Sequence, residues 1–267
     1  MEGETLASRV SQRGASNLLT PSRSGFNLLE LAVAVAITGL ALVVFYAAYE
    51  QRIARSVADS LTVRARDVFL AVTAVNAERE PLGLPSLWSS APDPLTAAQV
   101  RAGPVAAGFS NSTDFFRHLI EGGLCKGLAY ENLAGGGVPT GRSGAFSATN
   151  NAWTVAVNLR ADGADTMPLL ITRNVELAPL AAKMTQRGLA ERVRYDPAWE
   201  APLGQDGFVC LRKSGAVFFG LRRAVSYRAV CGGEPFDARV DKDGQAVTRP
   251  LTYLTPSRAV VPGGISP

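Results

Sequence analysis

From Phe26 to Tyr49 the chain is apolar almost without interruption, and Glu30 is the one charged side chain inside that run. A helix of about 24 residues rises roughly 36 Å, enough to cross the hydrocarbon of a bilayer. After Tyr49 the pattern changes. Ile53, Val57, Leu61, Ala65, Val68, Val72 and Val75 recur at spacings of three and four, which makes one apolar stripe along a helix. Arg52, Arg55, Asp59, Arg66 and Asp67 lie mostly off it. Pro81 ends the pattern, and the residue before a proline is biased away from helical geometry. One helix is therefore predicted from Phe26 to about Glu80, on the order of 80 Å long. Its first half is apolar on every side, and its second half presents a single stripe to a globular head.

Past Pro81 the periodicities shorten. Residues 81–108 are rich in Pro, Ala, Gly and Ser and read as a loop, with a turn of helix near Thr96–Val100. Ser112-Thr113-Asp114 has the character of a helix start, followed by Phe115, Phe116, Leu119 and Ile120 and closed by Gly122-Gly123. Gly135–Gly144 reads as a loop. Ala152–Leu159 alternates through Trp153, Val155 and Val157 and predicts a strand, Pro168–Val175 a second. Leu177–Leu189 suits a short helix. Phe208–Arg212 and Ala216–Leu221 flank Lys213-Ser214-Gly215, a hairpin turn. A long helix followed by several strands gives an α+β class: a small antiparallel-sheet head, residues 81–267, lying on the C-terminal half of the helix, residues 26–80.

Composition adds two constraints. The 267 residues suit one or two domains, and the net charge of +4 is mild. Nucleic-acid binding usually shows a concentrated basic patch, so no nucleic-acid partner is expected. Arg9, Arg13 and Arg23 precede the apolar run, and Arg52, Arg55, Arg64 and Arg66 follow it. The bias of basic residues therefore does not by itself orient the span.

The charge inside the apolar run carries the functional signal. A carboxylate in hydrocarbon costs several kcal/mol unless it is paired, so it implies a partner. Glu30 stands five residues past Gly25, in Gly25-Phe26-Asn27-Leu28-Leu29-Glu30, at the start of a membrane-length helix. Ser24 to about Tyr49 resembles the N-terminus of type IV pilins and type II secretion pseudopilins. Gly39 also matches a glycine common in pilins, whereas Ala47 stands where many have proline and Asn27 where threonine is frequent.

The resemblance implies a leader at residues 1–25, cleavage by a prepilin peptidase after Gly25, and methylation of the new amine of Phe26. It implies a span at residues 26–49 in the inner membrane and a head in the periplasm. It further implies extraction into a filament of pilin-like subunits by an inner-membrane assembly platform, with Glu30 paired to the Phe26 ammonium of a neighbour. Losing residues 1–25 removes Arg9, Arg13, Arg23, Glu2 and Glu4, lowering the net charge by one. The function expected is a structural one, that of a type II secretion pseudopilin without enzymatic activity. Two alternatives stay open: a minor pilin of an adhesion or DNA-uptake pilus, and a membrane-anchored periplasmic binding or enzymatic domain.

Other chemistry is sparse. Gly136-Gly137-Val138-Pro139-Thr140-Gly141-Arg142-Ser143 approaches a phosphate-binding loop, but Arg142 replaces the lysine and Pro139 interrupts it. His118 is the sole histidine, so no Ser/His/Asp set or zinc motif is evident. Cys125, Cys210 and Cys231 permit one internal disulfide at most. Cys210–Cys231 is the preferred pair because both lie in the late sheet region; three buried thiols is the other reading. Asp237, Asp241 and Asp243 form an acidic late loop. Oxygen ligands at alternating positions suit calcium, but the twelve-residue loop with its terminal glutamate is missing, and a solvated turn at Asp243-Gly244 explains the same residues. No cofactor is otherwise expected.

Overall fold

In the computed structural model the described residues are 27–84, 86–88, 109–157, 164–181, 190–221, 225–232 and 252–260. The leader, the turn of helix expected at Thr96–Val100 and the acidic loop with Asp237, Asp241 and Asp243 lie outside them. The chain divides into two compact units, residues 1–48 and residues 49–267. Helix α1, Leu28–Arg79, begins in the first unit and ends in the second, where a 3-10 turn at Glu80–Leu82 carries Pro81.

The second unit is built on the C-terminal part of α1. Ala54, Ala58, Leu61, Ala65, Val68 and Val72 are buried there. The expected stripe thus holds from Leu61 to Val72 but drifts before it. Ile53 is 46% exposed, and the alanines Ala54 and Ala58 carry the buried line in its place. Small side chains allow close approach at that end of the helix, so the stripe tapers.

Among the described residues six strands form one antiparallel sheet: β1 Trp153–Val157, β2 Pro168–Thr172, β3 Gly207–Arg212, β4 Val217–Leu221, β5 Thr252–Leu254 and β6 Ala259–Val260, in the order β4-β3-β2-β1-β5-β6. The first four make a meander, and β5 returns to pair with β1, with Val155 opposite Leu254. One face joins α1 and helix α2, Ser112–Glu121, in a core that includes Leu61, Val68, Phe116, Trp153, Val155, Val209 and Leu254. The opposite face is also covered. Ala156, Ile171, Phe208, Cys210 and Tyr253 pack there with Leu180 of the short helix α3, Ala178–Ala181, and Val230 of the short helix α4, Tyr227–Val230. The sheet is therefore central rather than a cover with one wet face. The burial confirms it: β1 and β2 are buried at every position, the mark of strands enclosed on both sides.

Local chemistry fixes the ends. Asn111 caps α2, its Oδ1 accepting from the Asp114 N–H at 2.8 Å. The Ser112 hydroxyl donates to the Trp153 carbonyl at 2.7 Å, and Thr113 donates to the Pro256 carbonyl at 2.8 Å. Asn151 completes this buried set by donating to Ser112 Oγ at 2.8 Å. The hairpin turn lies where the sequence puts it, at Lys213-Ser214-Gly215. Gly215 has φ +83°, and a Cβ there would stand 2.8 Å from the Phe69 ring edge.

The same close approach recurs at Gly136, where φ is +63° and a Cβ would meet Pro202 Cβ at 2.7 Å and Val57 Cγ1 at 2.9 Å. Gly136→Val is expected to cost about 2–4 kcal/mol through backbone strain and overpacking against α1. Gly144 also has positive φ but open space around it, so Gly144→Ala should cost only about 1 kcal/mol. Urea unfolding of the full chain in detergent micelles, comparing the midpoints of the two variants, checks both.

Candidate functional site at the N-terminal helix

The described part of the first unit is one helical surface, its large apolar side chains exposed. The most apolar 18-residue window of α1 has a mean hydropathy of 2.5 and is 0% buried. Leu28, Leu29, Val35, Ile37, Leu40, Val43 and Phe45 are all exposed. These residues face every direction around the axis, since 28, 29, 35, 37, 40, 43 and 45 do not fall on one stripe. The helix is long and apolar enough to cross a membrane. The Thr38 hydroxyl in mid-run is satisfied internally by donating to the Ala34 carbonyl at 2.8 Å, as a side chain in hydrocarbon requires.

Gly25 and Phe26 lie outside the described residues. Glu30 is described, and it is exposed. Its Oε2 accepts from the Asn27 N–H at 3.2 Å, while Asn27 Oδ1 accepts from the Leu29 N–H at 3.3 Å. The Asn27 carbonyl takes the first helical bond, from Leu31 N–H at 3.1 Å. Asn27 and Glu30 thus form a reciprocal cap, and the carboxylate also sits at the positive end of the helix dipole. This local role was readable in the sequence as the N-x-x-E spacing ahead of an apolar run. The reading of Glu30 through a neighbouring subunit passed over it. A carboxylate has several lone-pair sites, so the cap leaves acceptor capacity for a cation.

In the second unit the remaining sequence-level candidates fall apart chemically. The stretch 135–144 forms a tight turn, with Gly135 and Val138 paired, followed by irregular chain. Arg64 of α1 lies on Gly135 and donates to the Glu131 and Ala134 carbonyls, the latter at 2.9 Å. No strand leads into this stretch and no α-helix opens from it, so it is not a phosphate loop. His118 is exposed and rests against the Phe109 ring at 5.2 Å. Among the described residues no three His, Cys, Asp or Glu side chains converge as a metal site. Cys125, Cys210 and Cys231 are buried free thiols, so the expected Cys210–Cys231 bond is not formed in this structure, although both side chains sit in one core cluster.

Two groupings were not visible beforehand. Arg173 is buried, and its guanidinium donates to the carbonyls of Ala201 at 2.7 Å, Ala148 at 2.8 Å, Asn151 at 3.0 Å and Thr149 at 3.2 Å. It also lies over the Trp199 ring at 4.2 Å. Burial lowers its pKa to about 10, still charged at neutral pH. Its Nε and Nη1 donors go to backbone carbonyls, which makes it a bracket for the segments at 148–151 and 201. Glu121 gathers the Tyr130 hydroxyl at 2.7 Å, the Ser143 hydroxyl at 3.2 Å and the Gly144 N–H at 3.3 Å. The cluster ties the 143–145 turn to α2.

The Glu121 tie makes a signed prediction. Its hydrogen bonds, that from Tyr130 first and that from Gly144 next, hold its carboxyl below the ordinary value of 4.5. A depressed folded pKa contributes stability above the ordinary value and loses it as pH falls through the folded one. Protection of the Gly144 amide in hydrogen exchange, corrected for intrinsic rate, should therefore hold at neutral pH and fall in acid. Glu121→Gln should flatten that dependence. No family model matches the chain, and neither a curated protein nor a solved structure does, so the functional reading rests on the residues themselves.

Proposed function

We propose that this chain is a structural subunit of a pilus-like filament, most specifically a type II secretion pseudopilin, which acts by assembling and performs no chemistry of its own. The observation that carries the proposal is the register of Gly25 and Glu30 against a membrane-length helix whose most apolar window is 0% buried. Such a surface needs lipid before assembly and neighbouring helices after it. Cleavage after Gly25 would place an ammonium on Phe26, four residues before the Glu30 carboxylate. In its own chain Glu30 is already engaged at the Asn27 amide. The amine of the next subunit would supply the countercharge, and one carboxylate per helix then sets the axial stagger. Unpaired charges are costly in hydrocarbon, so pairing favours the assembled state over the isolated subunit.

The partners in this reading are the prepilin peptidase, other pilin-like subunits, an inner-membrane assembly platform and the bilayer, with the head in the periplasm. The arrangement of the second unit is compatible with it: an α+β body whose sheet is laid on the amphipathic end of the same helix that carries the apolar run.

Two experiments test the proposal. Mass spectrometry of the protein purified from native membranes should give a chain beginning at N-methylated Phe26. An intact leader, or a start beyond Tyr49, would overturn it in favour of an anchored or secreted domain. The second uses Glu30→Gln, which keeps an acceptor for the Asn27 amide but removes the charge. Filament incorporation, read by crosslinking to neighbouring subunits, should fall at least tenfold, as for Glu30→Ala. Wild-type incorporation with glutamine would mean that Glu30 serves only as a helix cap.

A further inference from the structure

The sequence leaves three possible pairings among Cys125, Cys210 and Cys231, and the sheet removes two of them. Cys125 packs on the α1 face, in the core that holds Leu119, Leu128 and Val72. Cys210 and Cys231 pack on the opposite face. A disulfide needs Cβ atoms about 3.8 Å apart, and an intact sheet stands between Cys125 and either of the others.

The two remaining cysteines share one core cluster, and the chain around them ties their elements together. Alternate side chains of a strand share a face, so Phe208, Cys210 and Arg212 of β3 point together. Arg212 donates through Nε to the Val230 carbonyl at 3.0 Å and through Nη2 to the Ala229 carbonyl at 2.7 Å. Cys231 follows Val230 directly, at the C-cap of α4. The guanidinium therefore holds the end of α4 against the same face of β3 that carries Cys210. Tyr253 of β5 closes the group from the side, its hydroxyl donating to the Pro168 carbonyl at 3.2 Å. Cys210, Cys231 and Tyr253 belong to one buried cluster.

We propose that Cys210 and Cys231 are a disulfide-forming pair that is closed while the chain folds, and that Cys125 remains a thiol. The reaction is thiol–disulfide exchange with a disulfide-bearing oxidant, such as a dithiol oxidase or glutathione disulfide. The thiolate of one cysteine attacks an oxidant sulfur and expels one thiolate. The second cysteine then attacks the mixed disulfide, forming the Cys210–Cys231 bond and expelling the other. Two thiol protons leave, and the oxidant is reduced to two thiols. Closure has to precede completion of the outer layer, because both side chains are fully enclosed in the fold. Burial also pushes the Cys231 thiol up to about 12 and raises that of Cys210, so thiolate is scarce and exchange in the folded state is suppressed. Once made, the bond would staple α4 to β3 and enclose the edge strand β4 in its loop.

The proposal uses the functional reading above only for the source of the oxidant, and the test separates the two. The full chain is purified from native membranes with alkylating agent present, denatured, and labelled again. In parallel it is reduced, denatured and refolded in detergent with a glutathione redox pair. The expected result in both arms is a single free thiol at Cys125 and a linked Cys210–Cys231 peptide, retained in Cys125→Ser and lost in Cys231→Ser. Reduction should then lower the melting temperature by about 5–10 °C. A link only on oxidative refolding supports the pair and overturns the placement of the head in an oxidising compartment. Three free thiols in both arms, or a link through Cys125, overturns the pair.

Discussion

The burial of one narrow stripe of α1 organises everything that follows it in the chain. Leu61, Ala65, Val68 and Val72 are fully enclosed, and the residues that enclose them come from α2, from the 130–138 turn and from the strands. A helix with so few large side chains on its buried face cannot hold a sheet by area alone. The approach is made close instead, through alanine on the helix and glycine on its partners. Gly136 meets Val57 and Leu61, Gly127 meets Ala71, and Gly215 meets Phe69. Shape at short range substitutes here for bulk.

Close packing leaves backbone carbonyls facing inward, and arginines and amides satisfy them. Arg64 serves the carbonyls after residue 130, Arg173 brackets the segments at 148–151 and 201, and Arg212 holds the end of α4. Asn174 does likewise for Gly204 and Gly207, at 2.6 Å and 2.8 Å. Guanidinium carries five donors in a fixed fork and stays charged when buried, so one arginine can fasten several irregular segments. Arg64, Arg173 and Arg212 are therefore structural.

The division of labour between the two units is chemical. The apolar part of α1 keeps its large side chains exposed, and it places its single carboxylate at the first turn, beside its own cap. In the second unit Arg173 and Glu121 bond to other groups of the same unit.

What the sequence determined by itself were the features set by local rules. Helix α1 and its end at Pro81 follow from periodicity and from the missing N–H of proline. The start of α2 follows from capping residues, and the β3–β4 hairpin from Gly215, whose positive φ disfavours any other residue. The membrane-length run and its acid were equally legible. The tertiary structure decided what depends on distant neighbours. The sequence laid the sheet on α1 without saying what covers its other face; Thr154 and Ala156 are as buried as Trp153 and Val155, and α3 and α4 pack on that outer side. Strand β5, too short for a clear pattern, is fixed by pairing with β1 across nearly a hundred residues of chain. Which cysteines can meet was likewise beyond spacing, since it turns on the face of the sheet to which each side chain points. Local propensity is written in neighbouring residues, whereas the covering of a face is a property of whichever segments arrive there.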